Sequence, residues 1–256
     1  MKHGDTYLVR LPFRSGDKDF GDSRRLALRC FHALQRKLKS VSVLKTEYTK
    51  ILQEYINLGH MSPVDDESAN GYYMPHHAVL KAPSATTKVR VVFDALAKTD
   101  KNISLNDGLM IGPTIQDKLF EHLLRFRTHT YVVTADIEKM YRQILIHPED
   151  RKYQRVFWYD HNRVRTFQLN TVTFGVSSTP FLAIRTIQQL ADDESADFPY
   201  VSKILKRDLY VDLLTGANTL DEIFRIRDEI IDPLKRGKGL DSRPNNYQLI
   251  LSYDKM

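Results

Sequence analysis

The sequence holds a single cysteine, Cys30, in 256 residues. One cysteine closes no internal disulfide and builds no zinc site of the Cys-x-x-Cys kind. Also missing is an unbroken apolar run of about 18 residues, the least that a membrane-crossing helix needs. The longest stretch without charge, 166–184, is interrupted by asparagine, glycine, serine and proline. The opening MKHGDTYLVR carries no apolar segment behind its first lysine, so no signal peptide is expected. No internal repeat or low-complexity tract is found. What is present is ordinary globular material, 42% apolar and 27% charged. An intracellular, soluble protein of one large or two small domains is expected.

Net charge is +6 and uneven. Residues 1–60 hold 12 lysines and arginines against 6 aspartates and glutamates, while residues 61–256 hold 26 of each. The whole excess therefore sits in the first quarter, either as a surface for a polyanion or as a solvated helix face.

In that quarter, Asp22-Ser23 offers a helix cap, and Leu26, Cys30, Leu34 and Leu38 recur four apart. This spacing predicts an amphipathic helix over 22–39. A second helix fits 43–58, with Leu44, Tyr48, Leu52 and Tyr55 inward and Gly59 as its stop. Residues 62–71 read as a loop. The period then changes: 77–81 and 88–93 read as the arms of a hairpin turning through Pro83-Ser84. A loop at 98–112, a helix near 114–127 and a strand at 131–135 follow. A second hairpin is expected at 155–159 and 163–169. Helices are expected from Pro180 to Leu190 and over 220–231, with a short strand at Leu209–Val211 between them. Hairpins mixed with helices favour an α+β fold over a doubly wound parallel sheet.

Four places could carry chemistry. Asp136 closes an apolar strand, where a carboxylate either holds a divalent cation or caps the next helix. Asp212 closes a second, and two such carboxylates brought together would repel unless a cation lay between them. Lys81, Lys88 and Arg90 share one hairpin, poised for a phosphate chain or simply exposed. The run Thr173-Phe174-Gly175-Val176-Ser177-Ser178-Thr179-Pro180 lets a ligand approach backbone ahead of a helix, or is a plain helix cap.

In chain order these elements resemble a reverse transcriptase, most of all that of the Pao/BEL group of LTR retrotransposons. The carriers begin with Arg10-Leu11-Pro12-Phe13, Gly21-Asp22-Ser23-Arg24 and Leu58-Gly59-His60-Met61. They continue with Tyr72-Tyr73-Met74-Pro75-His76-His77-Ala78-Val79-Leu80-Lys81 and Lys88-Val89-Arg90-Val91-Val92-Phe93-Asp94-Ala95. Thr134-Ala135-Asp136-Ile137-Glu138-Lys139-Met140-Tyr141, Val172 to Phe181, and Tyr210-Val211-Asp212-Leu213-Leu214-Thr215-Gly216 complete them. The resemblance covers nearly the whole chain.

It implies a right-hand polymerase with fingers and palm over 62–256, preceded by a basic helical arm at 1–61. It implies RNA-directed DNA polymerase activity on an RNA or DNA template-primer, with deoxynucleoside triphosphates as substrates and Mg²⁺ or Mn²⁺ as cofactor. Asp136 and Asp212 would hold the two ions. Ile137 would lend its backbone to the incoming nucleotide, and Tyr141 would be the gate against a 2′-hydroxyl. Lys81 and Arg90 would meet the triphosphate, and Phe174-Gly175 would line the nucleotide site.

The sequence departs from the family at two points. The palm turn of the family reads Tyr-x-Asp-Asp, followed in the Pao group by Leu-Leu-Thr-Gly. Here Tyr210-Val211-Asp212 runs straight into Leu213-Leu214-Thr215-Gly216, so one aspartate is missing. A hairpin one residue short turns side chains to the wrong face, so a distorted turn and reduced polymerase activity are expected. Near the end, Arg243 stands where the family's Gly-rich segment leads to a tryptophan. The thumb and RNase H regions of the family are not expected within these 256 residues, which read as a fragment of a larger polyprotein. A nucleic-acid-binding remnant without chemistry is the alternative reading.

Overall fold

The computed structural model describes residues 2–3, 6–14, 18–65, 71–80, 89–137, 139–161, 163–210, 213–236 and 252–255. From the N-terminus run β1 (Lys2–His3), β2 (Thr6–Val9), α1 (Arg24–Ser40), α2 (Ser42–Asn57), β3 (Met61–Pro63), β4 (His76–Leu80) and β5 (Val89–Phe93). Then come α3 (Leu105–Gly108), α4 (Leu119–Phe126), β6 (Tyr131–Ala135), a 3-10 turn at Met140–Gln143, β7 (Leu145–Ile146) and α5 (Pro148–Arg151). The last elements are β8 (Arg155–Asp160), β9 (Arg163–Leu169), α6 (Thr179–Asp193), α7 (Pro199–Arg207), β10 (Leu213–Ala217), α8 (Leu220–Arg236) and β11 (Ser252–Lys255). Helices are mixed with antiparallel hairpins, the α+β pattern expected. None of the described helices is long and apolar enough to cross a membrane.

The chain divides into two compact units. The first comprises Met1–Tyr7, Pro113–Ile144 and Phe181–Met256, and the second Leu8–Gly112 and Leu145–Pro180.

In the second unit, β8 and β9 form the expected hairpin, paired from Arg155↔Gln168 to Asp160↔Arg163. β3 adds to the far side of β9, with Met61 opposite Leu169. The stretch expected to be loop thus starts as an edge strand, which tolerates Pro63 because an edge proline removes no ladder bond. β4 and β5 form the other expected hairpin, with Val79 opposite Arg90. Its tip, 81–88, lies outside the described residues.

Helix α2 buries Leu44, Tyr48, Leu52 and Tyr55, the four expected, and ends at Asn57, two residues before Gly59, whose φ of +71° suits glycine. Helix α1 buries Ala27, Phe31, Leu34 and Leu38. Its stripe is one position off at the N-terminal end, because Phe31 displaces Cys30. That ring sits 5.4–6.4 Å from the rings of His76, Phe157, Trp158 and Tyr159, and it buries more apolar area than a thiol. The cap is also shared differently: the Asp22 carboxylate accepts from the Arg25 amide, while the Ser23 hydroxyl accepts from the Tyr73 amide at 2.8 Å.

His76 stands at the centre of this aromatic cluster. Its Nε2–H donates to the Phe157 carbonyl at 2.8 Å, and its Nδ1 accepts from the Tyr48 hydroxyl at 2.5 Å. Burial pushes its pKa down from 6.5 to about 4. An unfolded chain takes up this proton near 6.5 and the folded chain does not, so stability falls as pH drops from 6.5 towards 4. The loss approaches about 3 kcal/mol at the acid end of that window. Urea melts at pH 7 and pH 4.5 should show it, and a His76→Gln variant should lose most of the difference.

In the first unit, β6 is the central strand, with β10 on one side and β11 on the other, both antiparallel. Val133 and Ala135 of β6 pack into a core with Ile187 and Leu190 of α6, Ile204 and Leu205 of α7, and Ile223, Ile226 and Ile230 of α8. The strand expected at Leu209–Val211 is not found at Leu209 and Tyr210, and Val211 lies outside the described residues. Helix α7 runs to Arg207, so Leu209 follows its end by two residues and makes one isolated antiparallel bridge, to Leu213. The strand lies on the other side of Asp212, at Leu213–Ala217. The helix near 114–127 is shorter than expected, starting at Leu119.

Candidate active site

The strand β6 delivers Asp136. Alternation along β6 buries Val133 and Ala135, and the chain leaves the sheet at Asp136 before Ile137 returns to the core. The Asp136 side chain is exposed and takes no hydrogen bond or ion pair from any described residue. Its alternative role as a helix cap is therefore not used; the cap position of the following 3-10 turn is Lys139, in left-handed backbone at φ +53°. An exposed carboxylate without partners is a hard-oxygen donor of the kind magnesium selects. Among the described residues no three His, Cys, Asp or Glu side chains gather as a metal centre.

The opposite strand starts where Asp212 ends. Leu213 pairs with Ala135, and the ladder continues Leu214↔Thr134, Thr215↔Val133. Asp212 itself, like Val211, lies outside the described residues. The connection into it is held from two sides. The Gln116 amide donates to the Leu209 carbonyl at 2.8 Å and to the Tyr210 carbonyl. The Asp208 carboxylate, 2% exposed as a residue, accepts from Nε and Nη2 of Arg207 at 2.7 and 2.8 Å and from the buried Thr215 hydroxyl at 2.8 Å. The Asp208 carbonyl accepts from the Leu214 amide. Arg125 lies 3.7 Å from the same carboxylate and 2.9 Å from Asp117. Gln116, Asp208 and Arg125 were not singled out from the sequence. Their partners are far along the chain or spread over several elements, and no local motif marks them.

Ile137 is buried in the core of the first unit, and its carbonyl accepts from the Met140 amide. Tyr141 is half-buried in the 3-10 turn, and burial pushes its phenol above the ordinary range.

Two further candidates belong to the second unit. Phe174 is 60% exposed. Gly175 has φ +97°, and a Cβ there would come 2.0 Å from the Phe93 carbonyl oxygen, so only glycine fits. This loop is pinned by Asn106, whose amide donates to the Gly175 carbonyl at 2.9 Å and whose oxygen accepts from the Ser177 amide at 2.8 Å. Thr179 closes it, donating to the Thr173 carbonyl at 2.6 Å. Asn106→Ala should cost about 1 kcal/mol, chiefly by leaving the part-buried Ser177 amide without its acceptor, read as a lower urea midpoint with unchanged slope. Arg90 is exposed on β5. Lys81 and Lys88 lie outside the described residues.

No protein-family model matches the sequence, and no curated protein matches it. Solved structures do. The protease–reverse transcriptase of prototype foamy virus aligns over 77% of this chain with a TM-score of 0.58 at 14% identity. The fold is reverse-transcriptase-like. A foamy viral protease–reverse transcriptase in complex with double-stranded DNA aligns over 76% of the chain, with a TM-score of 0.55 and 16% identity. Another, in complex with an RNA/DNA hybrid, aligns over 75% with a TM-score of 0.55 and 14% identity. The reverse-transcriptase-like chain spans between 23% and 35% of the length of these viral proteins.

Proposed function

We propose that this chain is the fingers and palm of an RNA-directed DNA polymerase of Pao/BEL retrotransposon type, with catalysis weakened by loss of one palm carboxylate. The observation that carries the proposal is the β6–β10 register. Leu213 faces Ala135. An antiparallel ladder continued by one step would set Asp212, which lies outside the described residues, opposite Asp136. Two carboxylates there would hold Mg²⁺ or Mn²⁺, and Asp136, exposed and with no partner among the described residues, suits that task. Bound there, the ions supply Lewis-acid stabilisation of charge on a transferring phosphoryl group.

The chain's own residues take the remaining roles. The Ile137 backbone and the Tyr141 ring meet the sugar of the incoming deoxynucleoside triphosphate, with the ring excluding a 2′-hydroxyl. Lys81 and Arg90 bind the phosphates, and Phe174-Gly175 lines the nucleotide. The DNA and RNA/DNA complexes of the foamy viral enzymes support an RNA or DNA template-primer as partner. The single aspartate between Tyr210 and Leu213 favours one second reading, a nucleic-acid-binding remnant without chemistry.

Primer extension on poly(rA)·oligo(dT) with Mg²⁺ or Mn²⁺ separates them, run beside Asp136→Asn. Slow extension that falls to background in the variant is the expected result. Equal background in both, with primer-template still bound in a salt-dependent way, would establish the remnant instead.

A further inference from the structure

Between Asp22 and Glu47 the chain carries seven lysines and arginines and no acidic residue. Five basic side chains of α1, Arg25, Arg29, His32, Arg36 and Lys39, recur at spacings of four, three, four and three, and all are exposed. At 3.6 residues per turn these positions fall within an arc of about 80° and run about 21 Å along the helix axis. The arc lies on the side opposite Ala27, Phe31, Leu34 and Leu38, which α1 buries.

Several cations of other elements are neutralised at close range. Lys98 meets Asp107 at 2.5 Å, Arg225 meets Glu229 at 2.6 Å, Arg165 meets both Asp160 and Asp65 at 2.7 Å, and Lys206 meets Asp192. On the α1 stripe, Arg25 lies 3.6 Å from Asp22 and keeps a side chain 89% exposed. Arg29, Arg36 and Lys39 have no carboxylate partner among the described residues. Like charges three and four apart on one helix face repel, so the stripe weakens the helix that carries it. A multivalent anion laid along the row removes that repulsion.

The chemistry of the row selects the anion. Three of the five residues are arginines, whose planar fork takes a phosphate two-pronged. Over about 21 Å one nucleic-acid strand presents about six phosphates, enough to meet every cation of the row. A lipid surface would instead require large apolar side chains among the cations, and α1 exposes none.

We infer that the outer face of α1 is a docking surface for the sugar–phosphate backbone of one nucleic-acid strand, held by charge and without base readout. The choice of nucleic acid among phosphate polyanions rests on the polymerase reading. The five residues themselves have no role at the nucleotide site.

Binding of a fluorescein-labelled oligothymidylate of about 20 nucleotides to the full chain is followed by anisotropy between about 50 and 200 mM KCl, beside a duplex of equal length. The Arg29→Gln/Arg36→Gln/Lys39→Gln variant should bind at least about tenfold more weakly at the low-salt end. On the single strand its slope of log K against log salt should be shallower by about 2, three contacts at about 0.7 each. Its Tm should not fall, because the charges removed repel one another. Lys101→Gln/Lys206→Gln/Arg225→Gln removes the same net charge from cations that are already paired, and should change affinity by less than about twofold. An effect on the oligothymidylate alone assigns a single strand and one on the duplex alone assigns a duplex; either supports the surface. Equal losses from the two triple variants, or an unchanged slope in the α1 variant, would overturn it. So would lost binding to phosphatidylserine vesicles with DNA affinity intact, which would assign a membrane instead. Extension that depends on Asp136, with DNA binding indifferent to the α1 variant, sinks this surface and keeps the polymerase. Binding that depends on the stripe, without extension, does the reverse.

Discussion

Inserting one aspartate between Asp212 and Leu213 is expected to raise the rate of primer extension by about a hundredfold. The reasoning has a chemical and a structural half. A cation held by one carboxylate fewer stabilises developing phosphoryl charge less well, and restoring about 3 kcal/mol of that stabilisation corresponds to about two powers of ten in rate. Structurally, the insertion falls ahead of the first paired residue, Leu213, so the β6–β10 ladder keeps its register. The extra length enters the connection bridged at Leu209 and Leu213, whose start is held by Gln116 on the Leu209 and Tyr210 carbonyls. An alanine inserted at the same point restores length without charge. Steady-state extension rates should order as aspartate insertion, then alanine insertion and parent together near the bottom. Equal rates for the two insertions would show that turn length alone had been limiting.

The Asp208→Ala variant should lose about 4 kcal/mol of stability and melt roughly 10 °C lower. The carboxylate is buried, but its largest partner, Arg207, has a side chain 54% exposed and can turn to water. The cost therefore comes mainly from the Thr215 hydroxyl, which is 1% exposed and would be left without its acceptor, and from the lost charge-assisted bonds. Thr215 lies on β10 opposite Val133, so the damage is local to the strand that follows Asp212. Asp208→Asn keeps an acceptor for Thr215 and should recover about half of the loss. Differential scanning calorimetry on the three proteins gives the ordering directly.

How far the structure was legible in the sequence varied with the range of the forces involved. Helix α2 was legible to the residue because Leu44, Tyr48, Leu52 and Tyr55 satisfy a local period. Helix α1 was legible as a helix, but its face was not, since only the aromatic cluster around His76 tells that Phe31 outranks Cys30. The β10 strand was misplaced because apolar residues flank Asp212 on both sides, and the end of α7 decides which side pairs. Helix α7 itself was passed over although Pro199 at its first turn and Lys206 and Arg207 at its last are ordinary boundary signals. Gln116, Asn106 and Asp208 were not legible at all. Gln116 and Asn106 act on backbone 69–94 positions away, and nothing in their own neighbourhoods distinguishes them from solvated polar side chains.

The interleaved path of the chain sets an order of assembly during synthesis. Every residue of the second unit has been made once position 180 is reached, whereas the first unit still waits for α6 to α8 and for β10, the neighbour of β6. The strand that carries Asp136 therefore emerges from the ribosome some 80 residues before β10 and longer still before β11, with both sides of its backbone without their sheet partners until then. A nascent chain paused in that interval would expose Val132 to Ala135 as an open strand edge, the feature that chaperones and aggregation both recognise.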